Sequence, residues 1–265
     1  MAESTLSLGY SDYRSEIGYY LGYGRTSGNW TSDQTSDINA ILKMGLRQFY
    51  YPPVLSKGEP IYDWSFLHIN TTIATVADDY DQTLPDGFGG LETEVFTFAT
   101  TDGAYNPVKV IGESQIRTLR QGNTLTGIQR FAAIRMRSTD GTTGQRFEVI
   151  WWPTPDAVYT MGYRYRVQPD NLSDAAPYPY GGMVHAETIL ASCLAIAEER
   201  IKDERGVKWD SFMTKLAQSI AYDRSLGQQY FGYNGDRSDS RDSLSDRSHR
   251  YIGNNNVTFN GVEYP

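Results

Sequence analysis

Apolar residues recur at helical spacing near both ends of the chain and at strand spacing through its middle. Near the start, Tyr13, Ile17, Tyr20 and Leu21 fall on one face behind Ser11-Asp12, a pair suited to capping a helix. Glycines at 22, 24 and 28 close that element. Thr31 then precedes Gln34 by the spacing of a capping box, and Ile38, Ile41, Leu42, Gly45, Leu46 and Phe49 follow at the helical period. Tyr51-Pro52-Pro53 stops this second helix, because a residue before proline is pushed out of helical geometry.

From about Tyr62 the pattern changes to short β-prone runs. These are Asp63–Leu67, Thr71–Val76, Val95–Thr100, Val108–Ile111, Arg130–Arg135, Gln145–Ile150 and Tyr159–Val167. Asp86-Gly87, Asp102-Gly103 and Asp140-Gly141 mark tight turns between them. Trp152-Pro153-Thr154-Pro155 reads as a corner between two strands, and Glu113–Arg120 as one short interrupting helix. Several short strands in succession predict antiparallel pairing in a sandwich or barrel-like domain.

Helical periodicity returns after Pro179. Met183, Ala186, Leu190, Cys193, Leu194 and Ala197 share a face, leaving Glu187, Glu198, Glu199 and Lys202 for solvent. Gly206 breaks that helix, and Trp209, Phe212, Met213, Leu216 and Ile220 stripe a last one. After Leu226 apolar periodicity ends; residues 235–250 alternate charges and are expected to be disordered alone. A short strand is expected at 256–264, which is either a frayed terminus or a strand placed to add to the sheet of a neighbouring subunit or partner.

The predicted class is therefore α+β: a helical bundle formed by N- and C-terminal helices, an inserted antiparallel β-sandwich or barrel-like domain, and an extended C-terminal tail. The boundaries fall at 1–61 and 177–226 for the bundle, 62–176 for the insertion and 227–265 for the tail.

Composition narrows the functional classes. A net charge of −8 argues against a surface that wraps nucleic acid, which needs clustered Lys and Arg. The single cysteine, Cys193, excludes an internal disulfide and a cysteine-built zinc site, and its apolar neighbours predict a small buried hydrophobe. Twenty tyrosines and five tryptophans suit strand faces and interfaces. Neither a leader nor a membrane-spanning run is read at the N-terminus or beyond it, which predicts a soluble chain made in a reducing cytosol without membrane contact.

Catalytic and metal signals are weak. Asp78, Asp79, Asp81 and Asp86 are acidic but lack the alternate-position ligands and the later Glu of a calcium loop. Gly22-Tyr23-Gly24-Arg25-Thr26-Ser27-Gly28 misses dinucleotide-binding spacing. His68, His185 and His249 form no ligand spacing, and His185 is expected on the surface at a helix start. The expectation is a protein that is not an enzyme, with no cofactor and no metal.

The order of these pieces resembles the head-to-tail connector (adaptor) proteins of tailed bacteriophages, the group that includes the tail tubular gatekeepers of short-tailed phages. The resemblance is carried by a helix pair ending in Phe49-Tyr50-Tyr51-Pro52-Pro53, then Leu84-Pro85-Asp86-Gly87-Phe88 leading into the strands. The Trp152–Pro155 corner, the Tyr-rich strand 159–167 and the helix opening at His185-Ala186-Glu187 complete it. It implies a virion protein of the head-tail neck, assembled as a ring of twelve copies between the portal protein and tail or nozzle proteins. DNA would pass through that ring without specific binding. Trp151, Trp152, Tyr163, Tyr165, Val257, Phe259, Val262 and Tyr264 are the positions expected to contact other subunits or partners. The rival reading is a virion receptor- or carbohydrate-binding β module, which would account for the strands and aromatics but not for helices at both ends.

Overall fold

The computed structural model describes residues 3–54, 58, 60–103, 105–122, 125–137 and 144–226, and the backbone of two strands near the C-terminus. The fold is α+β. Helix α1 (Tyr10–Tyr20) is capped from Gly9, whose N–H donates to the Asp12 carboxylate at 2.8 Å, two residues before the expected Ser11 cap. Helix α2 (Ser32–Tyr50) carries the predicted capping box: Gln34 N–H donates to Thr31 Oγ1 and Thr31 N–H to Gln34 Oε1. Its apolar stripe from Ile38 to Phe49 is buried as the periodicity requires.

Helices α4 (Gly182–Lys202) and α5 (Val207–Leu226) join α1 and α2 around one core. Tyr13, Ile17, Leu42, Phe49, Ile189, Cys193, Phe212 and Leu216 are all buried there. Helix α4 departs from the single stripe expected of it. Met183 is exposed, while Thr188, Ala191, Ser192, Ala195 and Glu198 are buried. The reason is its position against both α2 and α5, where its small residues allow close approach on two sides. No helix among the described residues is long and apolar enough to cross a membrane.

Between these helix pairs lie eight strands: β1 (His68–Ala74), β2 (Asp81–Thr83), β3 (Phe88–Leu91), β4 (Val95–Phe98), β5 (Val108–Val110), β6 (Phe131–Met136), β7 (Phe147–Trp152) and β8 (Thr160–Val167). They form one sheet in the order β1-β8-β4-β5-β6-β7-β2, with β3 sharing the edge of β8 that β4 uses. The two ends of this order, β1 and β2, belong to one stretch of chain, so the sheet curls back on itself. Pairing is antiparallel except between β5 and β6, which run parallel. Helix α3 (Glu113–Gly122) supplies the crossover such a pair requires, and this replaces the purely antiparallel arrangement expected from short strands. The run Asp63–Leu67, expected as a strand, instead includes a 3₁₀ turn at Ser65–Leu67.

Strand alternation sorts side chains between two cores. Met161, Tyr163, Tyr165 and Val167 of β8 point into the curl with Phe96, Val108, Ala132, Val149 and Trp151. Leu84 and Phe88 flank a turn in which Phe88 N–H donates to the Pro85 carbonyl, and both side chains enter the same core. On the opposite face Ala133 and Ile150 pack against Ile116 of α3. Arg135 of β6 clamps Glu148 of β7 at 2.5 Å and Asp81 of β2 at 3.1 Å. Near the C-terminus, β9 (Val257–Phe259) and β10 (Val262–Tyr264) pair antiparallel, so the single terminal strand expected there is a hairpin. The predicted Asp140-Gly141 turn and the predicted disorder of 235–250 lie outside the described residues.

Candidate functional site

The helical core meets the sheet along Ile61–His68, the segment leading from α2 into β1. Asp223, buried on α5, holds this segment by three bonds. Its carboxylate accepts from the Tyr62 hydroxyl at 2.8 Å, the Ser65 N–H at 3.0 Å and the Ser65 hydroxyl at 2.5 Å. Trp64 stacks on Phe49 with ring centroids 4.7 Å apart and donates its indole N–H to the Phe49 carbonyl.

His185 lies inside this aromatic cluster, not on the surface. Phe49, Trp64, Phe66 and Tyr222 surround its ring, and it is 2% exposed. Its Nδ1 has no hydrogen-bond partner. Burial pushes its pKa below the ordinary histidine value, with the Asp223 charge opposing that shift. No local pattern signals this burial, because a histidine at a helix start is more often solvated.

At the start of β1, His68 lies between two carboxylates. Its Nδ1 faces Glu92 and its Nε2 faces Asp63 at 3.3 Å. Arg166 pairs with Asp63 at 2.9 Å and Arg164 with Glu92 at 3.3 Å. Asp63, His68 and Glu92 offer ligand atoms within 4.8 Å of one another, the spacing of a metal site. Both imidazole nitrogens are already engaged, however, and one imidazole gives a metal one nitrogen. The two guanidinium groups also supply the positive charge a cation would bring. The arrangement works as a charge lock joining Asp63, β1, the residue after β3, and β8. Residue spacing could not reveal it, since His68 and Glu92 are brought together only by their common neighbour β8.

Among the acids weighed for calcium, Asp81 pairs with Arg135 and Asp86 with Arg146 at 3.5 Å. The positions expected to make contacts divide. Trp151 is 0% exposed, and Tyr163 and Tyr165 are 4% and 6% exposed, all three inside the curled sheet. In the isolated subunit they fill the core and offer no contact surface, because they share the inward parity of their strands. Trp152, of opposite parity, is half-buried against Phe131 on the outer side. Val257 and Phe259 lie on β9, and Val262 and Tyr264 on β10.

Surface features outside that prediction are better exposed. Residues 3–10 run beside 177–183, joined by Tyr10 N–H to the Pro177 carbonyl and by Ser4 Oγ to Met183 Sδ. These two segments and the following residue carry exposed Leu6, Tyr178, Tyr180, Met183 and Val184, an apolar grouping of the kind that marks protein contacts. A second feature is a cleft of about 590 Å³ between α2 and the chain after β8, with Lys43, Arg47, Tyr51 and Asn171 on its walls. Neither Lys43 nor Arg47 forms an ion pair among the described residues, so the cleft is basic in an acidic chain.

Comparison with curated proteins returns no match. The model of the SU10 adaptor protein family matches residues 10–246, spanning helices α1 to α5 and strands β1 to β8, and the chain belongs to that family of phage adaptor proteins.

Proposed function

We propose that this protein forms a ring between the portal protein and the tail, completing the virion neck and letting DNA pass through its channel. Its match to an adaptor family over residues 10–246 carries this reading, and a structural role agrees with it. Twelve copies is the expected number, by resemblance to connectors of tailed phages. A closed ring needs two complementary surfaces per subunit. The apolar grouping at Leu6, Tyr178, Met183 and Val184 and the basic cleft at Lys43 and Arg47 are each a candidate for one side of such a pair, meeting an apolar and an acidic surface respectively. A net charge of −8 per subunit, repeated around a channel, would repel DNA phosphates and favour passage without adhesion.

Gold-antibody labelling of purified phage particles, viewed by electron microscopy, tests the assignment. Label concentrated between the capsid vertex and the tail is the expected result. Label on fibres or at the distal tail tip would overturn it in favour of a receptor- or carbohydrate-binding module, and an unlabelled particle would remove the virion role altogether.

A further inference from the structure

The outer edge of β1 is open. Its inner edge pairs with β8 in unbroken register from His68↔Arg166 to Ala74↔Thr160. Thr75 N–H donates to the Tyr159 carbonyl, and Glu92 and Ala99 N–H donate to the carbonyls of Arg164 and Thr160 on the far side of β8. This parity turns the backbone of Ile69, Thr71 and Ile73 toward β8 and that of Asn70, Thr72 and Ala74 outward. Among the described residues, no strand pairs with that outward edge. Edge strands are usually blunted by lysine, proline, a bulge or shortness. Seven-residue β1 has none of these, which makes it a template for strand addition.

The chain also carries a hairpin in need of a sheet. β9 and β10 contribute three residues each and pair with one another. A two-stranded hairpin is marginal by itself in water, and one this short more so. We propose that the β9–β10 hairpin of one copy adds to the open β1 edge of a second copy, clasping neighbouring subunits through backbone hydrogen bonds.

Chain length favours the second copy over the hairpin's own β1. Helix α5 ends at Leu226, three residues beyond Asp223, and Asp223 bonds Ser65, three residues before β1 begins. The chain therefore leaves α5 close to its own β1, so docking there would need only a short connection. Thirty residues, 227–256, separate α5 from the hairpin. At full extension that length reaches at most ~100 Å, enough to reach an adjacent subunit. The clasp rests on the ring reading for the neighbour it engages.

The test uses full-length protein in two differently tagged versions, Asn70→Cys and Thr258→Cys, mixed and treated with a short bismaleimide. Native Cys193 is buried and does not compete. The expected product joins the two tags. Adding Thr72→Pro to the Asn70→Cys chain removes an outward N–H while sparing the β8 ladder, a position where an edge strand tolerates proline. It should cut the adduct at least tenfold with the melting temperature nearly unchanged. No mixed adduct, or one indifferent to Thr72→Pro in a folded chain, overturns the clasp. A third version carrying both Asn70→Cys and Thr258→Cys is treated in parallel, and an adduct formed only within that chain overturns the second-copy assignment. Particle labelling reads the neck role separately: neck label without the adduct rejects the clasp alone, and the adduct without neck label rejects the neck role alone.

Discussion

Gly45 of α2 packs directly against Cys193 of α4. A Cβ at position 45 would lie 2.5 Å from the Cys193 sulfur and 2.7 Å from its Cα, so the helices touch nearly backbone to backbone. Gly45→Ala must push them apart. The expected loss is ~1–3 kcal/mol, read as a lower urea midpoint, and Cys193→Ala should restore only part of it because the clash includes main-chain atoms. Full restoration would place the strain in the sulfur alone.

The same contact sets the chemistry of the thiol. Burial pushes the Cys193 pKa up to about 12, so no thiolate is present at neutral pH. The folded chain should resist a thiol reagent at pH 8 and react fully once denatured. Rapid labelling under native conditions would show α2 and α4 opening.

Asp223 should be the most sensitive residue at the junction. Asp223→Ala leaves the Tyr62 hydroxyl and the Ser65 N–H and hydroxyl without their acceptor, at an expected cost of ~2–4 kcal/mol. Tyr62→Phe removes one of the bonds and should cost ~1 kcal/mol. Chemical denaturation of both variants checks the order.

Glu198 gives a pH dependence of known sign. It is 2% exposed, accepts from Lys202 Nζ at 2.9 Å and from Lys208 N–H at 2.8 Å, and so caps the start of α5. Gly206 leaves it room: a Cβ there would come within 2.8 Å of its carboxylate. The Lys202 bond foremost, with the backbone donors, holds its pKa below the ordinary carboxylate value. Its stabilisation is therefore present above the unfolded-state value and is lost as pH falls through the folded one. Glu198→Gln should lower the melting temperature at pH 7, with the gap closing below about pH 4. A gap independent of pH would mean the charge is not what stabilises.

His185 contributes in a higher window. The folded state keeps it neutral, whereas the unfolded chain takes up a proton below about pH 6.5. Stability should fall as pH drops through that value. His185→Leu should flatten the melting temperature between about pH 7 and pH 5 and remove the unpartnered Nδ1. An unchanged slope would assign the acid sensitivity elsewhere.

The helices were legible in the sequence because their information is local. The Thr31–Gln34 capping box and the stripes of α2 and α5 are short-range patterns that burial then satisfies. The longer strands β1, β6, β7 and β8 were legible for the same reason. Strands β2, Asp81-Gln82-Thr83, and β3, Phe88-Gly89-Gly90-Leu91, carry no apolar alternation and exist because β7 and β8 offer them ladders. The terminal hairpin differs from the single strand expected at 256–264, although Asn260-Gly261 is a strong hairpin pair by sequence.

Which side chains face inward was settled only by tertiary structure. The sequence by itself marked Trp151, Tyr163 and Tyr165 as large rings on strands, but strand parity against a core depends on how the sheet curls. Once the sheet curls, those rings fill the interior and cease to be surface. In the same way His68 meets Glu92, and His185 enters its aromatic cage, through contacts between segments far apart in sequence. Periodicity along the chain fixed the type of most elements, and the packing of one element on another decided which residues were left for solvent and partners.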